Sequence, residues 1–312
     1  MLPVRVVRVG ALVIFGWLTV LLVRGSPSSR LVDCPDVPGD GVLPPEPETN
    51  TQNLRVGFLS LGQSRPSLVI YEDRHGMAVF QGDIVLGTTA SMQQTMPGSP
   101  GQVGVQGIVL TGSVQWPNAT IPYEIDPNLP SQGRIIAAVT EWTTKTGLQF
   151  IPHTSGTGGD FVYFTAGSGC DSALGHQGGE QLIHLADGCG TPQVIHEIGH
   201  TVGLLHEHTR SDRDQYIQIN WTNIPAAWQS QFQNANPSQD VGTYDFCSIM
   251  HYPATADSYN NGHLPVFQET NSCPACMPGR ATVLSSGDVV AVNFLYPASA
   301  ARRAKSAVPK PN

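Results

Sequence analysis

The run His196-Glu197-Ile198-Gly199-His200-Thr201-Val202-Gly203-Leu204-Leu205-His206 constrains this chain more than any other feature. Histidines four apart on a helix share one face and can grip a single metal ion. Glu197, next to the first of them, points toward the metal's open side without joining the ligand set. Gly203 can take a positive φ, which ends the helix and turns the chain back, bringing His206 to the third coordination position. Two histidines and a glutamate at this spacing often arise by accident. The glycine and the third histidine make the pattern specific, and the later run Ser248-Ile249-Met250-His251-Tyr252 strengthens it.

The chain has 312 residues, enough for one large domain or two modest ones with a real core. Charged residues are 13%, with 33 Gly and 25 Pro, so loops should be abundant. A net charge of −8 argues against a nucleic-acid partner, which needs a basic face. Arg5 and Arg8 precede the largely apolar run Ala11–Val23. That run falls short of the roughly 20 residues a membrane span needs and fits a signal-peptide core. The expected signal peptide is 1–25, cut before Ser26 with Val23 and Gly25 as the small residues; Arg24 between them leaves an uncleaved anchor open. The expectation is a secreted, extracellular monomer with no stable membrane association. Six cysteines in an exported chain read as disulfide partners. Cys273-Pro274-Ala275-Cys276 has redox-motif spacing, but no thioredoxin-like βαβ pattern surrounds it.

The stretch His196–Arg213, ending His206-Glu207-His208-Thr209-Arg210-Ser211-Asp212-Arg213, resembles the astacin family of metzincin zinc endopeptidases. Glu207, directly after the third histidine, and Ser248-Ile249-Met250-His251-Tyr252 carry the likeness, which covers roughly residues 107–297. The resemblance implies an α+β fold: a twisted mixed sheet with two long helices in an N-terminal subdomain, then an irregular C-terminal subdomain with one terminal helix. It implies one catalytic Zn²⁺ held by His196, His200 and His206. Tyr252 would be an extra ligand that swings off the metal to hydrogen-bond the oxyanion. Glu197 would take a proton from the zinc-bound water and pass it to the leaving amine. Met250 would form the floor beneath the metal, and Glu207 would sit near the mature N-terminus. The partners implied are protein or peptide substrates. Astacins often prefer acidic residues just after the scissile bond; Arg280 is the only Lys or Arg between Arg213 and Arg302 and is a candidate for that pocket.

Phe80-Gln81-Gly82-Asp83 resembles the FxGD motif of astacin propeptides. There the aspartate fills zinc's fourth position, so the chain's own propeptide, 26–105, would be its inhibitor. A carboxylate is a good ligand for Zn²⁺, and a glycine lets the backbone approach closely. The settings of Cys170 and Cys189 resemble the family's loop disulfide. The family's other bridge is missing: Gly147 stands at its first cysteine, and no cysteine follows Cys276. Cys34, Cys247, Cys273 and Cys276 must pair differently, with Cys247 to Cys273 or Cys276 preferred.

Along the chain, 27–53 reads as a loosely ordered leader and Leu86–Thr111 as a cleavable linker. No Lys or Arg occurs between His75 and Gly133, so activation by a trypsin-like protease is not expected. The catalytic part, 106–297, begins with a strand over Thr120–Ile125. Ser131 should cap a helix over Gln132–Thr146 whose apolar side is Ile135, Ile136, Val139 and Trp142. Strands follow at Leu148–Ile151 and Phe161–Phe164, and Gln181–Leu185 reads as the edge strand for an extended substrate. The metal-binding helix should start near Pro192 with Thr191 as cap, and Ser286 should cap a last helix through Leu295. The basic tail 298–312 should be disordered. His153, His176 and His263 read as ordinary surface or core histidines, and His184 as an edge-strand one. Asn118 and Asn220 fit glycosylation acceptors. The competing readings are a non-catalytic secreted zinc-stabilised binding protein, which has no need of Glu197, and a matrixin, which lacks the tyrosine after the Met-His pair.

Overall fold

The computed structural model describes residues 53–59, 67–94, 115–235, 238–254, 264–270 and 276–297. The expected signal peptide, the leader with Cys34, most of the cleavable linker, His263, Cys273 and the basic tail lie outside them.

Short apolar and β-branched runs bounded by turn residues supply most of the strands. In chain order these are β1 (Leu54–Leu59), β2 (Ser67–Arg74), β3 (Met77–Phe80), β4 (Ile84–Thr88), β5 (Thr120–Ile125), β6 (Gln149–Pro152), β7 (Phe161–Ala166), β8 (Cys170–Ala173) and β9 (Glu180–Leu185). Among the described residues they form one sheet in the order β1-β2-β3-β4-β8-β9-β7-β5-β6. The first four make an antiparallel meander, and β4 then pairs in parallel with β8. β8 runs antiparallel to β9, and β9, β7, β5 and β6 are mutually parallel. A smaller sheet joins β10 (Ile217–Ile219) to β11 (Phe267–Glu269). The helices are α1 (Thr89–Gln94), α2 (Gly133–Lys145), α3 (Thr191–Thr201) and α4 (Ser286–Leu295). This is the mixed α+β architecture expected, extended by four strands from the segment before the linker.

The main core lies between the sheet and helices α2 and α3. Ile121, Phe164 and Ile183 meet Ile135 and Trp142 from α2 and Val194, Ile195 and Ile198 from α3. Each such side chain contributes about 1.5–3 kcal/mol by leaving water. The Trp142 indole donates to the Ile195 carbonyl at 3.0 Å, fixing α2 against the metal-binding helix. The N-terminal meander has its own small core of Val69, Tyr71, Ala78, Ile84, Leu86 and Met92, to which Leu174 is added from the catalytic part.

Several local expectations need correction. Ile136 is 48% exposed, because the buried stripe of α2 runs Ile135, Ala138, Val139, Trp142 and leaves Ile136 to one side. Ser131 has φ 57 and makes no side-chain cap; the helix starts two residues later. Gly190, not Thr191, precedes α3, and Ser285, not Ser286, caps α4. β9 is an interior strand. The catalytic part's own strands end at β8 on one side, covered by β4, and at β6 on the other. Disulfides join Cys170 to Cys189 and Cys247 to Cys276, with Cα atoms 6.0 and 5.2 Å apart. The second fastens the chain ahead of the Met250 turn to the loop leading to α4.

Candidate metal centre

At the start of α3 the Gly190 N–H is taken by the Gln193 side chain at 2.8 Å, and Pro192 sits in the first turn where no donor is needed. At its end Gly203 adopts φ 105, and the Leu204 N–H reaches back to the Gly199 carbonyl at 2.9 Å. The reversal brings His206 beside His196 and His200. The Nε2 atom of His196 lies 3.1 Å from that of His200 and 3.2 Å from that of His206. All three rings are buried. Each Nδ1 faces an oxygen that can only accept: the Ile249 carbonyl at 2.7 Å, the Leu204 carbonyl at 2.8 Å and the Gln81 side-chain oxygen at 3.3 Å. Each Nδ1 therefore carries the proton, and three lone pairs converge on one point.

Asp83 closes the fourth side. Gln81 and Gly82 both have positive φ, 50 and 92, and this tight turn delivers the carboxylate. Its Oδ2 lies 3.1 Å from His206 Nε2 and 3.3 Å from His196 Nε2, and its Oδ1 lies 3.6 Å from His200 Nε2. Oδ1 is buried and has no hydrogen-bond partner. Burial pushes His206 down to about 4, and lowers His200 as well, so both rings are neutral at pH 7. Three neutral lone pairs and one carboxylate facing each other without a donor require a cation. Bonds of about 2.0–2.1 Å in a tetrahedron put ligand atoms about 3.3 Å apart, close to the spacing found, so the set fits zinc.

Beneath the histidines, Gly199 has no room for a side chain: a Cβ there would collide with the Met250 sulfur. Met250 is thereby seated under α3 as its floor. The turn is held from α4, where Asp288 accepts from Ser248 Oγ at 2.7 Å and from the Ile249 N–H at 3.0 Å. Glu207 donates its N–H to the Met250 carbonyl at 3.0 Å and accepts from the Asp245 N–H at 2.8 Å. Burial raises its carboxyl to about 8. Glu207 lines a cavity with Leu204, Asp245, Asp288, Ala291 and Phe294. Glu197 is buried next to His196.

Tyr252 lies beside the third histidine, its ring 4.5 Å from that of His206. Its hydroxyl donates to the Gln81 carbonyl at 2.6 Å and approaches the Gln231 side-chain oxygen at 3.4 Å. Its ring stacks on His208 at 4.3 Å. Arg280 follows Gly279, whose backbone packs against Pro253, the residue after Tyr252. His184 is paired with Asp171 across β9 and β8 at 2.7 Å, and His176 with Asp160 at 2.9 Å. Asn118 lies in the short turn before β5, and Asn220 in the loop after β10. Sequence reasoning missed Gln81, Gln231 and Asp288. Only Asp288 had a readable signal, as the fourth residue of the capping pattern Ser285-Ser286-Gly287-Asp288.

Comparison with known proteins agrees with this geometry. The profile of the peptidase family described as Astacin matches residues 109–297. The chain is 35% identical over 228 residues to the zinc metalloproteinase nas-13 of Caenorhabditis elegans, covering 70% of this chain and 50% of that protein. It is 32% identical over 231 residues to the low choriolytic enzyme of Oryzias latipes, covering 70% and 78%. Among solved structures it resembles high choriolytic enzyme 1, a hatching-enzyme zinc-protease of the same fish, with TM-score 0.54 and 30% identity over 60% of this chain and 96% of that one. The chain spans about half the length of the first curated relatives it matches.

Proposed function

This chain belongs to the astacin family, and from that footing we propose that it is a secreted zinc endopeptidase made as a zymogen. The observation that carries the reading is the carboxylate of Asp83 set among the three histidine Nε2 atoms. The zinc, when bound, supplies a Lewis acid that polarises the scissile carbonyl and makes water acidic near neutral pH. Glu197 takes the attacking water's proton and returns it to the leaving nitrogen. Tyr252, released from the Gln81 carbonyl, donates its hydroxyl to the carbonyl oxygen under attack. An extended substrate pairs with β8, whose Ser172 N–H is now given to the Asp83 carbonyl at 3.0 Å.

In this reading 26–105 is the inhibitory segment and 106–297 the catalytic domain. β4 lies on the substrate edge, Asp83 fills the metal's open position, and Gln81 holds the tyrosine. Glu207, in its cavity beside α4, awaits the new N-terminus made by cleavage in the basic-residue-free linker. Secretion is supported by the two disulfides and the apolar run Ala11–Val23. Arg280, on the loop packed beside Tyr252, would favour acidic residues after the scissile bond.

The test is cleavage of a denatured protein with zinc present. The full chain should be inactive and should gain activity after the linker is cut; the uncut Asp83→Ala chain should gain only part of it, because Gln81 still holds Tyr252 and β4 still covers β8. A full chain as active as its processed product would refute latency. A processed chain that binds zinc and cleaves nothing would refute the enzyme.

A further inference from the structure

We propose that Gln231 is a positioning residue for Tyr252, the acceptor that takes the tyrosine hydroxyl once Gln81 is gone. The inference rests on the reading of Tyr252 given above.

Gln231 lies in the helical turn Gln229–Phe232 and is 3% exposed. Its backbone is fixed from two sides. The carbonyl accepts from His208 Nε2 at 3.2 Å, and its N–H donates to the Trp228 carbonyl at 3.0 Å. The buried guanidinium of Arg213 ties this turn to the one after the third histidine, donating to the carbonyls of both His208 and Phe232. The same His208 ring stacks on Tyr252, so one rigid unit carries the face on which the tyrosine rests and the amide beside its hydroxyl.

A hydroxyl has one proton and gives it to the nearer acceptor. The Gln81 carbonyl at 2.6 Å holds it, and the Gln231 oxygen at 3.4 Å is the longer, secondary contact. Once the linker is cut and the segment carrying Gln81 dissociates, Gln231, which belongs to the catalytic part, stays. A tyrosine that must leave the metal to meet substrate then has a resting acceptor in the wall. Gln231 sets how its hydroxyl divides between that wall and the metal. A hydrogen bond of ordinary strength shifts such a division by about three- to tenfold.

The full chain is processed and loaded with Cu(II), so that a tyrosine phenolate on the metal gives a visible charge-transfer band. Gln231→Met removes the acceptor at similar length, and Gln231→Glu keeps an oxygen there. The expected result is a stronger band and a several-fold lower kcat at unchanged KM for Gln231→Met, both restored toward the parent by Gln231→Glu. Thermal unfolding of the unprocessed chains separates this from loss of fold. A parent band that Gln231→Met leaves unmoved, or equal shifts in both variants, overturns the role of Gln231 alone. A parent without a band, together with an unchanged kcat in Tyr252→Phe, overturns the role of Tyr252 and with it this proposal.

Discussion

The hydroxyl of Tyr252 donates to the backbone carbonyl of Gln81 at 2.6 Å although 171 positions separate the two residues. Two residues past Gln81, Asp83 stands among the imidazoles, so one tight turn engages both the metal position and the tyrosine. Two of the contacts that would keep the proposed zymogen latent therefore share one turn, beside the pairing of β4 with β8. Removing the Asp83 carboxylate alone leaves the grip on Tyr252 in place.

In the proposed mechanism Glu197 serves proton transfer and does not hold the metal. The Glu197→Gln chain should keep one zinc per chain by metal analysis. Its processed form should lose about 10²–10⁴-fold in kcat, the usual worth of a general base. Chelation, by contrast, should lower the unfolding temperature as well as the activity, because metal bound only to the folded form stabilises it. A Glu197→Gln chain that has lost its zinc would contradict this division of roles.

Asp288 is the support under the Met250 turn. Its carboxylate caps α4 through the Asp288-to-Ser285 exchange and also receives Ser248 and the Ile249 N–H. Asp288→Ala removes a cap and leaves buried donors unmet, at a cost of about 2–4 kcal/mol in urea unfolding. Asp288→Asn retains an acceptor and should cost less. Equal stability of the parent and the Ala variant would show that the turn stands without it.

His153 gives a pH signature remote from the metal. Its Nε2 faces the Gly158 carbonyl at 2.9 Å and its Nδ1 faces Glu124 at 2.6 Å, so both nitrogens meet acceptors and the charged ring is favoured. These bonds raise its pKa above 6.5, the Gly158 contact contributing most. A raised folded-state value means that this stabilisation is full below pH 6.5 and is lost as pH rises through the folded pKa. Glu124 is lowered, first by Ser155 and then by His153, so its share is kept above pH 4.5 and lost as pH falls through the folded value. The difference in unfolding midpoint between the parent and His153→Gln should shrink as pH rises from 6 toward 9. A constant difference would discount the pair.

The metal centre was legible because its geometry is local. The spacing of His196, His200 and His206 with Gly203 encodes a helix face and a reversal, and both are found. β5 was legible for the same reason, its alternation matching a half-buried strand. β8 was not: Cys170-Asp171-Ser172-Ala173 has no β-branched or aromatic residue, and it is a strand because β9 and β4 supply its partners. That is why β9 was mistaken for the edge. The histidine partner Gln81 was hidden because its role depends on a contact 125 positions away.

The meander β1–β4 carries its own core and meets the catalytic part along β8, at Leu174 and through the turn of Gln81 and Asp83. Cutting the linker therefore changes only the tether. In the proposed zymogen the segment would act before the cut at the high effective concentration of an attached ligand, and afterwards as a separate inhibitor whose hold depends on dilution. Full activity in the proposed enzyme should thus lag behind cleavage in concentrated solution and follow it closely in dilute solution. Where the protein is stored, concentration itself becomes part of the lock.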